Sequence, residues 1–287
     1  MSQAAVRQQV SSLLGTDIPA DAISAEEADY LEKNLHRIGS VQEIWAAMDD
    51  EWERQGASFA AAHDVAMGRF YASPVWLLNG IFTEIDSTSR VHRDAIAAFV
   101  AKRQPSFVVD YGGGFGALAR RIAAGAREAR VMVVEPWPHS LALSLASAYR
   151  NLSYHANLPH DADVVVAEDV LEHVTDPLEL FGRLLGSTRR GGVVIAANCF
   201  LPVIRCHYPG AFHLHFTFSC IVSRLGCRFE GCIPEADHAQ VFLRTGAKSD
   251  WRAARRLERA SRMAYPVLRL AQSAKRRFLH TASRSFS

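Results

Sequence analysis

The chain has 287 residues, of which 49% are hydrophobic, and a formal net charge of +2. That is enough apolar material for one full domain with a smaller appendage, and it excludes a disordered chain. From Arg244 onwards twelve Lys/Arg face only Asp250 and Glu258, so this tail carries +10 and residues 1–243 carry −8. An acidic body argues against nucleic acid as a partner and leaves only the tail as a basic surface.

The start, Met1-Ser2-Gln3-Ala4-Ala5-Val6-Arg7, lacks a basic segment followed by an apolar run, and no stretch approaches the roughly 18 apolar residues of a membrane span. A cytoplasmic location is the expectation. Five cysteines (199, 206, 220, 227 and 232) form no C-x-x-C pair and read as buried reduced thiols.

Between about Ala25 and Lys102 apolar side chains recur at helical spacing, as in Tyr30, Leu31, Leu35, Ile38, Val41, Ile44, Trp45 and Met48. The segment Ser73–Gly80, punctuated by Pro74 and Gly80, predicts a break between helices, and Ser89–Lys102 a further helix. From Phe107 the texture becomes short β-branched runs alternating with helical ones, as in a parallel sheet covered on both faces. Predicted strands are 107–111, 131–135, 152–155, 163–167, 192–197, 228–233 and 240–244. Predicted helices are 117–124, 140–149, 177–189, which Gly191-Gly192 would stop, and 217–225. The fold class expected is therefore α/β, a doubly wound, seven-stranded, mostly parallel sheet. It divides into a helical cap (1–104), a central domain (105–247) and a basic tail (248–287). The tail reads as a helix over 251–263, a break at Pro266, a second basic stretch including Lys275-Arg276-Arg277, and a disordered end.

The first strand ends in Asp110 and turns through Gly112, Gly114 and Gly116 into a helix, a backbone that lets a ligand approach closely. A tight packing turn is the plain alternative. The same glycines, with Ala117, also satisfy a dinucleotide fingerprint, in which the helix N-terminus receives a pyrophosphate. Asp110 weighs against that, because its carboxylate repels a pyrophosphate but accepts a hydrogen bond from a cationic amino-acid moiety, favouring S-adenosylmethionine over NAD. The next strand ends in Glu135, placing an acid beside the loop, where ribose hydroxyls need an acceptor; a solvated strand-end acid is the alternative.

Val108-Val109-Asp110-Tyr111-Gly112-Gly113-Gly114-Phe115-Gly116 resembles the first motif of class I S-adenosylmethionine-dependent methyltransferases, and Glu135 matches their ribose-binding acid. Asp163-Val164-Val165-Val166-Ala167-Glu168-Asp169-Val170-Leu171-Glu172-His173-Val174 is similar to the fourth-strand segment of the small-molecule enzymes of that superfamily. The resemblance continues through Gly191–Asn198 and His213–Thr217, covering about residues 105–245. It implies S-adenosylmethionine as cofactor, held by Asp110, Gly112, Gly114, Gly116, Glu135 and Glu168. The acid the family commonly sets against adenine is missing, with Asn157 in its place, and Gly113 is unusual at the middle of the loop. The implied reaction is direct methyl transfer to a small-molecule acceptor, in which the protein supplies positioning, desolvation and sometimes a base.

A hydroxyl acceptor must lose a proton, and His173, His207, His213 and His215 fall in segments expected at the carboxyl edge of the sheet. His213 and His215 stand first, since two-residue alternation would aim them the same way if extended, with His173 beside them. A structural histidine is the alternative at each position, and zinc ligation is another, although the spacings match no common closed site. Tyr71, Trp76 and Asn79 are candidate lining residues. Trp76–Phe82 resembles bacterial sugar methyltransferases, pointing to a sugar or glycoconjugate hydroxyl. The competing functions are an NAD-dependent oxidoreductase and a noncatalytic protein that keeps the fold and the cofactor. In the tail, Arg252, Arg255, Arg256, Arg259 and Arg262 recur at three- and four-residue spacing, a face suited to anionic lipid or phosphate, or simply a solvated helix.

Overall fold

The computed structural model describes residues 2–60 and 65–284, the side chains of 272–284 excepted. The expectation of disorder at the extreme end therefore falls largely outside the described residues. Six helices precede the sheet: α1 (Gln3–Leu14), α2 (Ala25–Asn34), α3 (Val41–Gln55), α4 (Val65–Tyr71), α5 (Val75–Ile85) and α6 (Ser87–Lys102). Their ends are written in the sequence. Ser24 and Glu27 form a reciprocal capping box on α2, Ser40 caps α3, and Asp86 accepts the Ser89 amide at 2.7 Å to start α6. Gly56 closes α3 in the left-handed conformation.

The sheet contains β1 (Phe107–Tyr111), β2 (Arg130–Val134), β3 (Leu152–His155), β4 (Ala162–Glu168), β5 (Thr188–Ala197), β6 (Cys227–Ile233) and β7 (Ala236–Arg244). Its order is β3-β2-β1-β4-β5-β7-β6; β1 to β5 pair in parallel, and β7 runs antiparallel between β5 and β6. The chain winds outward from β1 to β3 and then returns to β4 on the other side of β1. The crevice at that reversal, outside the carboxyl ends of β1 and β4, is where ligands bind in open α/β sheets.

Helices α7 (Ala117–Gly125), α8 (Ser140–Ala146), α9 (Pro177–Ser187) and α10 (Leu214–Val222) follow the strands. Alternation along β1 sends Val108 into a core with Ile96, Leu118 and Ile122, and Val109 into the opposite core with Phe181, Leu184 and Phe218. Each such side chain contributes about 1.5–3 kcal/mol on burial. A third core joins Val6, Val10, Leu31, Ile44, Trp52, Phe70 and Leu78 of the N-terminal helices to Leu141, Ile204 and Cys206, which lie beyond β2 and β5. The helical region thus covers the carboxyl edge of the sheet.

The structure corrects the sequence reading in four places. Gly80 lies inside α5, and only Pro74 marks its start. Helix α9 ends at Ser187, not at the Gly191-Gly192 pair, because the Ser187 and Thr188 hydroxyls donate back to the Leu184 carbonyl at 2.8 and 2.9 Å. Gly192 instead permits close strand approach, since a Cβ there would lie 2.7 Å from the Asp163 carbonyl oxygen. Helix α10 begins three residues earlier than expected, so His213 and His215 are not extended. Finally, α11 (Trp251–Arg284) runs through Pro266 as one element. The exposed proline sits in a sequence rich in Arg, Ala and Leu, whose helix propensity offsets the missing amide.

Candidate functional site

The loop after β1 is built from glycines that no other residue replaces without cost. Gly112, Gly114 and Gly116 have φ of 68°, 47° and 69°. A Cβ on Gly112 would lie 2.7 Å from Val170, and one on Gly116 would overlap the Tyr154 hydroxyl, whereas Gly114 faces open space. Tyr154 in turn donates to the Gly114 carbonyl at 3.2 Å. Beneath the loop lies Asp110, 1% exposed, accepting the Ala119 amide at the start of α7. Its Oδ2 has no partner, and a Cβ on Gly113 would lie 2.5 Å from that atom. The unusual middle glycine is thereby accounted for. Burial, reinforced by Glu168, pushes the Asp110 carboxyl up to about 7. Asp110 is therefore placed under the loop, with one carboxylate oxygen left unpartnered.

Glu135, one residue past β2, accepts the backbone amides of Trp137 and Gly114, and its partial burial raises its carboxyl. Glu135 and Asn157 line one cleft of about 190 Å³ together with Tyr111, Gly112, Val134, Leu158 and Arg183. Sequence-distant residues expected to share a ligand are thus brought together at the reversal of strand order.

The segment after β4 adds acids. Glu168 is paired with Arg93 of α6 at 3.0 Å, and Arg93 also donates to the Thr83 carbonyl at 3.0 Å. Asp169 adopts φ 52°, a left-handed conformation that costs a non-glycine residue energy. Burial of the carboxyl and the Glu168 charge raise its pKa. Glu172 is fully buried; its Oε1 accepts the Cys199 amide at 2.6 Å, Oε2 has no partner, and burial with Asp169 raises its carboxyl. Arg93 faces Glu168, Asp169 and Asp110. It is outnumbered by the carboxylates, which resist ionising together.

The three candidate histidines separate. His213 is buried where α10 meets α11, with Nδ1 2.9 Å from the Ser261 hydroxyl and Nε2 accepting from Arg262 at 3.2 Å, so neither nitrogen is open to a ligand. Burial and Arg262 lower its pKa to about 4. His215 is exposed and its ring packs on Phe216. The two diverge because successive alternate residues on a helix are turned about 200° apart. His173, in the single turn after β4, sets Nδ1 3.1 Å from the Cys206 carbonyl. A carbonyl only accepts, so Nδ1 carries the proton and Nε2 keeps its lone pair. Burial, with His207 nearby, lowers its pKa to about 3.

Around His173 stand the rings of Trp76 (6.2 Å), Tyr71 (6.5 Å) and His207 (4.9 Å), and Tyr71 stacks on Trp76 at 5.3 Å. His207 repeats the tautomer of His173, its Nδ1 lying 2.8 Å from the Leu201 carbonyl. It also lines a depression of about 710 Å³ with Trp52, Phe59, Arg205 and Tyr208. Arg93 carries no signal in the sequence, being one arginine in a segment read only as a helix. Among the described residues no group of three or more His, Cys, Asp or Glu is placed to hold a metal ion; all five cysteines are free thiols, but only Cys206 and Cys227 are buried as expected, whereas Cys220 and Cys232 are exposed.

A backbone cradle beside carboxylates that outnumber the arginine paired among them suits a ligand with cationic groups and an adenosyl portion, and opposes a pyrophosphate. Residues 109–196 match the sequence profile of the methyltransferase domain family. The segment that forms the cradle is thus a methyltransferase domain. Solved structures show the same fold. An O-methyltransferase family protein from Burkholderia thailandensis is 15% identical, with 70% of each chain covered and a TM-score of 0.52. Human N-acetylserotonin methyltransferase, in complex with S-adenosylmethionine, is 17% identical, with 83% of this chain and 74% of that chain covered and a TM-score of 0.50. No curated protein sequence matches. S-adenosylmethionine is the cofactor that a methyltransferase domain implies, and the cradle, the acids and the cleft fit it.

Proposed function

We propose that this methyltransferase acts on the hydroxyl oxygen of a small molecule, with a sugar or glycoconjugate as the first class to test. The observation that carries this reading is His173: a buried neutral imidazole, its tautomer fixed by a backbone carbonyl, with Nε2 free among aromatic rings at the carboxyl edge of the sheet. When bound, S-adenosylmethionine supplies an electrophilic methyl group on its sulfonium, which passes to the acceptor oxygen as the sulfur–carbon bond breaks.

His173 Nε2 takes the proton that the hydroxyl loses, and the Cys206 carbonyl stabilises the resulting imidazolium through Nδ1–H. The stacked Tyr71 and Trp76 offer a flat apolar wall against which a sugar ring or similar scaffold lies. The depression containing His207 receives the remainder of the acceptor. Gly112, Gly114 and Gly116 give the cofactor its backbone approach, Glu135 and Asn157 hold its adenosyl portion, and Asp110 acts by fixing the loop and α7. Glu168, committed to Arg93, positions α6 and sets the local field. In this reading residues 1–104 cover the acceptor, 105–247 carry the cofactor and 248–287 form an accessory tail.

The test is transfer from methyl-labelled S-adenosylmethionine to a panel of methyl glycosides, phenols and primary amines. Label on a hydroxyl acceptor, lost in His173→Gln with cofactor binding intact, is the expected outcome. Label confined to amines, or an unchanged rate in His173→Gln, would refute the assignment.

A further inference from the structure

Helix α11 carries two outward-facing features that the methyl-transfer site does not use. Its 34 residues extend about 50 Å at 1.5 Å per residue. It is held to the body by one face of its first third: Ala254, Glu258 and Ser261 are buried, and Arg255 bridges to Asp176 at 2.6 Å and to Glu258 at 2.9 Å. On the opposite face, Arg252, Arg256 and Arg259 are exposed. One turn further on, that same face turns apolar, with Met263 76%, Val267 68% and Leu270 72% exposed. These three sit at i, i+4 and i+7, one stripe on the helix surface.

We propose that this face of α11 docks on an anionic lipid surface. Apolar side chains in a stripe with guanidinium groups beside it match the boundary of a bilayer, where the former enter the acyl region and the latter meet lipid phosphates. Charge complementarity supports this occupant. The tail carries +10 against −8 for residues 1–243, so an anionic surface attracts the helix and repels the body. Two copies of so basic a helix repel when paired along their stripes, and a nucleic acid makes no use of Met263, Val267 and Leu270. No described helix is long and apolar enough to cross a membrane, so the contact is one of lying on the surface.

The full-length protein is sedimented with phosphatidylcholine vesicles with and without phosphatidylglycerol, at low and high salt. The expected result is binding to the anionic vesicles alone, weakened by salt. Binding should fall at least about ten-fold both in Met263→Ser/Val267→Ser/Leu270→Ser and in Arg252→Gln/Arg256→Gln/Arg259→Gln. All six positions are exposed and outside the cofactor site, so S-adenosylmethionine affinity serves as the folding control. Absence of binding to anionic vesicles at low salt, or equal binding by the serine variant, overturns the proposal. So does a wild-type dimer in light scattering that the serine variant dissolves without any vesicle binding, which would assign the stripe to a second copy.

Discussion

At His173 the decisive property is which nitrogen holds the proton. The Cys206 carbonyl fixes it on Nδ1, and burial keeps the ring neutral down to about pH 3. His173→Gln should lower turnover about a hundred- to ten-thousand-fold while the dissociation constant for S-adenosylmethionine changes less than about twofold, as measured by initial rates and calorimetry. Asp110 bears on stability. Its folded pKa of about 7 exceeds its ordinary value of 3.8, so the folded protein binds the extra proton between those values. The stability it contributes is full below about pH 4 and is lost as pH rises through about 7, by at most on the order of 4 kcal/mol. Chemical denaturation of Asp110→Asn should show a shallower loss over that window than the wild type. An identical profile would mean that Asp110 is solvated. Sequence alone identified Asp110 as special but not its burial, because that depends on α7 folding back over the loop to offer the Ala119 amide.

Elements were legible wherever their cause is local. The seven strands could be read from β-branched runs, while the side-chain caps Ser24, Asp86 and Asp176 came from the structure. What was not legible is contact between elements. The spacing His213-x-His215 reads equally as strand or helix, and nothing nearby reveals that α11 returns to occupy His213. Gly80 is the clearest case, reading as a turn while serving as a packing gap. A Cβ there would overlap the Phe115 ring, which stacks on His139 at 5.2 Å, and His139 in turn pairs with Glu27 at 2.7 Å. This chain of contacts ties α2 and α5 to the glycine loop. Gly80→Ala should therefore cost about 1–3 kcal/mol in thermal unfolding and also weaken cofactor binding. A stability loss with unaltered affinity would show that α5 and the loop are independent.

Over the whole molecule the governing feature is charge. An acidic body gathers Asp110, Glu135, Glu168, Asp169 and Glu172 about the carboxyl edge of β1, β2 and β4, and three of these, Asp110, Asp169 and Glu172, are raised by burial and by the charge of Glu168. A cationic ligand relieves that crowding and favours their ionised forms, so its binding is linked to proton release. The most direct measurement is calorimetric titration with S-adenosylmethionine, S-adenosylhomocysteine and NAD from about pH 6 to about pH 8, in buffers of different ionisation enthalpy. The account predicts that both adenosyl compounds bind, that the sulfonium form gains more affinity as pH rises and releases protons, and that NAD does not bind. Binding of NAD with neither adenosyl compound taken up would contradict it.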